Sequence, residues 1–189
     1  LSQFPVFIRH NQAVHILEKI RCDKCFATLV NSRNPFGLSS NTRGMENGDI
    51  RLISSDGISF IPLRPDIESN ILTSNYKIML SKVTAEHAGE PDKQGKFKIL
   101  SRMEIIGPNT VCTDSYLIIA ANNSKGFVIN SYKYLCSKFA RFLLMLAVSS
   151  INLSQDKFQF VPLQDFTENS DIDWSRSVSE IDRQLYAKY

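Results

Sequence analysis

The stretch from residue 123 to 166 constrains this chain most, because it demands a large apolar surface to pack against. Its first part carries Phe127, Val128, Tyr132, Leu135, Phe139, Phe142, Leu143, Leu146 and Ala147 at steps of three and four. That spacing puts them on one face and predicts one long helical stretch near 124–149. Lys133, Lys138 and Arg141 interrupt the apolar pattern, so the other face is polar and basic. After a polar gap, Phe158 and Phe160, with Leu163, alternate against Gln159 and Gln164. A period of two predicts a short half-buried strand ended by Pro162.

The rest of the chain has to supply the opposing surface. Residues 11–20 place Ala13, Val14, Leu17 and Ile20 on one helical face, with Asn11 positioned as a cap. Ser55-Asp56-Gly57 between two apolar runs, 50–53 and 58–62, is a hairpin signal. Residues 76–83 alternate Tyr76, Ile78, Leu80 and Lys82 against Lys77, Met79 and Ser81, predicting another strand with one polar face. Two more follow at 102–106 and 115–121, separated by Gly107-Pro108-Asn109. The last helix, 178–189, opens on Ser177-x-x-Glu180, a capping box, behind an acidic linker over 168–174. Together these predict an α+β fold: a mixed, mainly antiparallel sheet of five or six strands with packed helices.

At 189 residues, 43% hydrophobic and 22% charged, the chain has enough apolar surface for a sizeable core, and it reads as a single module over 1–189. The longest apolar run, 142–148, is far short of the roughly 20 residues that cross a bilayer, and the start lacks a charged-then-apolar leader. A cytoplasmic protein without membrane contact is expected. The start at Leu1 and the helical pattern running to Tyr189 read as a piece cut from a longer polypeptide. Cys22-Asp23-Lys24-Cys25 has the spacing of half a zinc site, but a structural zinc needs four ligands and no second pair is visible. Free thiols are expected there, and no metal.

Catalytic constellations do not emerge. The sequence has no Gly-rich phosphate loop, no Gly-x-Ser-x-Gly elbow, no His-Glu-x-x-His, and no Asp or Glu two residues ahead of a Lys as metal-dependent nucleases use. It also lacks the Pro-Pro-Tyr stretch with which amino-methylating enzymes hold a flipped base. Charge is uneven: residues 124–164 carry five Lys or Arg against the single Asp156, whereas 165–189 carry six acids against three cations. A basic middle suits a polyanion, although the net charge is only +3.

Several runs together carry a resemblance. They are residues 32–38 (Ser-Arg-Asn-Pro-Phe-Gly-Leu), 112–117 (Cys-Thr-Asp-Ser-Tyr-Leu), 138–143 (Lys-Phe-Ala-Arg-Phe-Leu), 160–166 (Phe-Val-Pro-Leu-Gln-Asp-Phe), and Glu180-Ile181-Asp182 with Leu185-Tyr186 and Lys188-Tyr189. In this order they resemble the C-terminal, target-recognition region of bacterial restriction-modification proteins, the adenine-specific DNA methyltransferases and methyltransferase-endonuclease fusions. Ala140 departs from the pattern, where a second Phe is common, as does the gap at 149–156. The resemblance implies a module downstream of a methyltransferase domain in the same chain, with S-adenosylmethionine held by that domain and no cofactor here. Its partner would be double-stranded DNA. Neither catalytic nor metal-ligating residues are expected in this stretch.

Candidate DNA contacts are the loop residues Arg33, Asn34 and Arg43; Lys82 at a strand end; Lys93, Lys96 and Lys98 in the long polar loop 84–98; Lys138 and Arg141 on the helical stretch; and Gln155 and Lys157 beyond it. Lys and Arg position a protein on phosphates, while Arg, Asn and Gln read base edges. The 84–98 cluster has the strongest case, since loops carry variable contacts on a fixed scaffold. Phe158, Phe160 and Phe166 are expected in the core rather than as stacking platforms. The competing reading is a protein-interaction or scaffolding module that docks a nuclease or specificity subunit.

Overall fold

The computed structural model describes residues 13–20, 23–31, 33–84, 93–95, 98–148 and 152–189. They form an α+β architecture of two three-stranded sheets and six α-helices. The hairpin is as expected: β1 (Ile50–Ser54) and β2 (Gly57–Ile61) pair antiparallel with Ser54 opposite Gly57. Gly57 takes φ 125°, a region that side chains rarely enter, and Asp56 N donates to Ser54 Oγ at 3.2 Å to close the turn. Two short helices follow, α2 (Pro65–Glu68) with Pro65 in its first turn, and α3 (Ile71–Ser74) capped by the Asn70 side chain.

β3 (Tyr76–Ser81) is the centre of the other sheet, antiparallel to β4 (Met103–Ile106) and to β6 (Tyr116–Asn122). Between them in sequence, β5 (Thr110–Cys112) leaves the Gly107-Pro108-Asn109 turn and pairs parallel with β1. That crossing divides the strands between two sheets where one was expected. β3 also differs from its expectation of one polar face. Ile78 and Leu80 face the helices with Leu117 and Ile119, while Met79 packs with Leu52, Val111 and Ile118 against the first sheet. β3 is therefore buried on both sides. Lys77, expected on the polar face, is fully buried, its Nζ donating to Asn75 O at 3.0 Å and Gly107 O at 3.1 Å.

The long helical stretch divides at Ser137 into α4 (Lys125–Cys136) and α5 (Lys138–Ala147). Ser137 is extended (ψ 151°) and its Oγ accepts from Ala140 N at 3.1 Å. The buried Asp182 accepts from Lys138 N and Phe139 N, both at 3.0 Å. Three first-turn donors of α5 are thus satisfied by side chains, which makes the break stable. Asp182 belongs to α6 (Val178–Lys188), which begins on the expected Ser177–Glu180 capping box and buries Ile181 and Leu185. At the other end, α1 (Val14–Ile20) buries Leu17 and Ile20; the expected cap Asn11 lies outside the described residues.

The strand expected at 158–163 does not form. Gln155–Phe158 is a 3-10 turn, and Pro162 makes only an isolated bridge to Cys25. The bridging segment offers one backbone donor from Phe26 to Val161 O, and Leu163 N donates to Lys24 O, so no ladder can propagate. Phe158 and Phe166 are buried in a cluster instead, whereas Phe160, also expected in the core, is half-buried at its edge. Phe158 and Phe166 pack with Phe26, and Phe166 also packs with Tyr134 and Trp174, as core residues should. Trp174 and Ile172 also anchor the acidic stretch ahead of α6, whose Glu168, Asp171 and Asp173 are exposed.

Candidate functional site

Strand ends and loops meet beside the free edge of β6. Val30 bridges Ile119 and Asn31 N donates to Ile118 O at 2.9 Å, so the segment leading to Arg33 is laid along that edge. Across from it, the chain leaving β3 turns so that Lys82 N donates to Ser115 O at 3.0 Å and Leu153 N donates to Lys82 O at 2.7 Å. Asp114 precedes β6, its N held by Leu38 O at 2.8 Å. The result is a groove of about 510 Å3, lined by Asn31, Arg33, Lys82, Asp114, Leu117 and residues 152–156.

Its charges are organised around Asp114. One carboxylate oxygen accepts from Lys82 Nζ and the other from Arg33 at 3.4 Å. The hydrogen bond from Lys82, aided by Arg33, holds the Asp114 carboxyl below the usual carboxylate range against a smaller opposing effect of burial. Arg33 keeps most of its side chain in solvent, 83% exposed, whereas Lys82 is only 16% exposed. On the facing wall, Asp156 accepts from Ser154 and pairs with Lys157 at 2.9 Å. Burial pushes the Asp156 carboxyl up, but these bonds outweigh it and leave it below its ordinary value. Gln155 Nε2 donates to Ala27 O at 3.0 Å, which fixes the amide and leaves its Oε1 toward solvent contacts.

Of the residues expected from sequence to contact DNA, Arg33, Lys82 and Gln155 line this groove, and Lys157 joins them through Asp156. Asn34 lies in the adjoining turn with φ 53°; its Oδ1 is buried without a hydrogen-bond partner among the described residues. That turn is rigid, since Gly37 N donates to Asn34 O at 3.1 Å and Asn70 Nδ2 to Pro35 O at 2.7 Å. The 84–98 loop springs from the same place. Ser101 Oγ returns to Val83 O at 2.6 Å, next to Lys82. Lys93 and Lys98 are exposed; Lys96 lies outside the described residues.

The remaining candidates lie elsewhere. Arg43 pairs with Asp56 at 3.1 Å on the β1–β2 hairpin. Lys138 is exposed at the start of α5, and Arg141 donates through Nε to Ser137 O at 3.2 Å. The rest of the polar lining, Asn31, Asp114, Asn152, Ser154 and Asp156, was not among the residues expected from sequence to contact DNA. Asp114 was visible only as part of a motif, and Asn31 carries no local signal because its role depends on the β6 edge.

A larger bowl, about 670 Å3, opens between α4 and the stretch before α6, but Glu168, Asp171 and Asp173 line it and its charge opposes a polyanion. A smaller apolar groove of about 290 Å3 lies among Ile16, Ile20, Phe139, Phe142, Tyr186 and Tyr189. Cys25, Cys112 and Cys136 are free thiols, Cys22 lies outside the described residues, and among the described residues no three His, Cys, Asp or Glu side chains gather as a metal-binding group. Likewise no helix among them is long and apolar enough to cross a membrane. No family model, curated protein or solved structure matches the chain.

Proposed function

We propose that this chain binds duplex DNA and selects the site at which a methyltransferase domain of the same parent enzyme, supplied with S-adenosylmethionine, methylates adenine N6. One observation carries the reading. Arg33, Lys82 and Gln155, far apart in sequence, line one groove at the root of the loop that bears Lys93 and Lys98. Cations on a loop rooted beside a groove that also holds the amides of Asn31 and Gln155 suit the division between phosphate contacts that position and side chains that read bases. The resemblance of the motif series to restriction-modification proteins supports the choice of DNA over other polyanions.

Binding of this kind depends on salt. Each phosphate neutralised adds about 0.9 to the slope of log affinity against log salt. Replacing Lys93, Lys96 and Lys98 together by Ala is expected to weaken binding to target and random duplexes alike and to flatten the slope, by up to about three units if each meets a phosphate. Replacing Arg183 and Lys188 of α6 should change little, since Lys188 is already paired with Asp171 at 2.8 Å. Fluorescence anisotropy of a labelled duplex at several salt concentrations measures both. A loop variant that stays folded and keeps the parent affinity and slope would remove the loop from the interface and favour a protein-docking module.

A further inference from the structure

Lining the same groove, Asn31 has chemistry that the cations do not. Its side chain has no hydrogen-bond partner among the described residues, whereas its backbone is fixed by the bond to Ile118 O at 2.9 Å. Most other polar groups nearby are engaged: Lys82 with Asp114, Asp156 with Ser154 and Lys157, and Gln155 Nε2 with Ala27 O, while Arg33 makes one 3.4 Å contact to Asp114 and extends into solvent. Asn152 also has a partner of its own. Both carboxylates of the groove are ion-paired, Asp114 with Lys82 and Arg33 and Asp156 with Lys157, so a phosphate entering it would have to compete with carboxylates for these cations. An uncharged base edge has no such competition to meet.

We infer that Asn31 is a specificity-determining residue that reads the major-groove edge of an adenine; the assignment rests on the duplex-binding reading and deepens it. A carboxamide presents a donor and an acceptor side by side, which matches N7 and the N6 amino group of adenine on a single base. Guanine offers two acceptors there and cytosine one donor, so neither satisfies both halves of the amide. Because the backbone of Asn31 is pinned to β6, little freedom is lost when the amide engages. Gln155 Oε1, which also lines the groove, is an acceptor for an amino group on a neighbouring base.

The test is selection of bound duplexes from a pool with a randomised central stretch, read by sequencing, using the 189-residue chain and its Asn31→Ala and Asn31→Asp variants. The parent chain is expected to enrich adenine at one position or more. Asn31→Ala should abolish enrichment at one of those positions, weaken binding to the enriched duplex by about ten- to a hundredfold, and leave the salt slope unchanged. Asn31→Asp has nearly the same shape but only acceptors, so it should shift that position from adenine toward cytosine. A purely structural role would not move base preference. Enrichment identical in all three proteins, or duplexes retained by the parent without adenine preference, would overturn the assignment while leaving duplex binding intact. A parent chain that retains no duplex at low salt overturns the duplex-binding reading, and this one with it.

Discussion

Lys77 and Asp114 show how much depends on single ionisable groups. Burial lowers the Lys77 amine from 10.5 to about 8, and the neighbouring Cys112 opposes this only in part. Between pH 8 and 10.5 the unfolded chain therefore holds a proton that the folded chain has released, and stability rises with pH. Burial also pushes the Cys112 thiol up from 9.0 to about 12, so from pH 9 upward it works in the opposite direction. The clean window is pH 8 to 9. Urea titrations followed by the fluorescence of the single Trp174 should show stability rising there by on the order of 1 kcal/mol, and Lys77→Met should remove the rise. A rise that persists in the variant would assign it to another group. Asp114 makes a different expectation. Removing the charge it places between Lys82 and Arg33, as in Asp114→Asn, should strengthen binding to random duplexes and steepen the salt slope by about one unit. An unchanged slope would mean that neither cation meets a phosphate.

Among the elements, those legible in the sequence are the ones decided locally. Ser55-Asp56-Gly57 makes its hairpin because the turn residues alone satisfy the geometry, and Ser177 with Glu180 caps α6 within its own first turn. Where the deciding partner is distant, local reading fails. Apolar residues continue on both sides of Ser137, with neither Gly nor Pro to mark a stop, and it is Asp182 in α6 that makes the break between α4 and α5 stable. β5 is three residues long, too short for a period to be read, and Lys77 looks solvent-facing until the second sheet covers it. Arg33, Lys82 and Gln155 were legible by residue type, but that they share a groove was not. Asp182→Ala should destabilise the fold by about 1–3 kcal/mol, because it leaves two amide donors of α5 unpaired beside a buried helix end. Loss of the exposed cap in Ser177→Ala should cost about 1 kcal/mol. Urea titration compares the two; equal effects would mean that Asp182 acts as an ordinary exposed cap.

At the scale of the whole molecule, the sheet β4-β3-β6 lies between two cores, with helices on one side and the β2-β1-β5 sheet on the other. Its β6 edge, the exit of β3 and the start of β6 are where backbone groups remain for other segments to pair with, and residues 30, 31, 33 and 152–156 gather there. A rigid interior thus presents polar loop residues on one side, while Arg43 and Lys138 point to other surfaces. Hydrogen exchange with and without a random-sequence duplex at low salt tests duplex seating in this groove most directly. Amides of 30–33, 114–117 and 152–156 are expected to exchange more slowly when the duplex is present, with the 50–61 hairpin and α6 unaffected. Protection confined to the hairpin or to α6, or none anywhere at duplex concentrations that saturate binding, would contradict it.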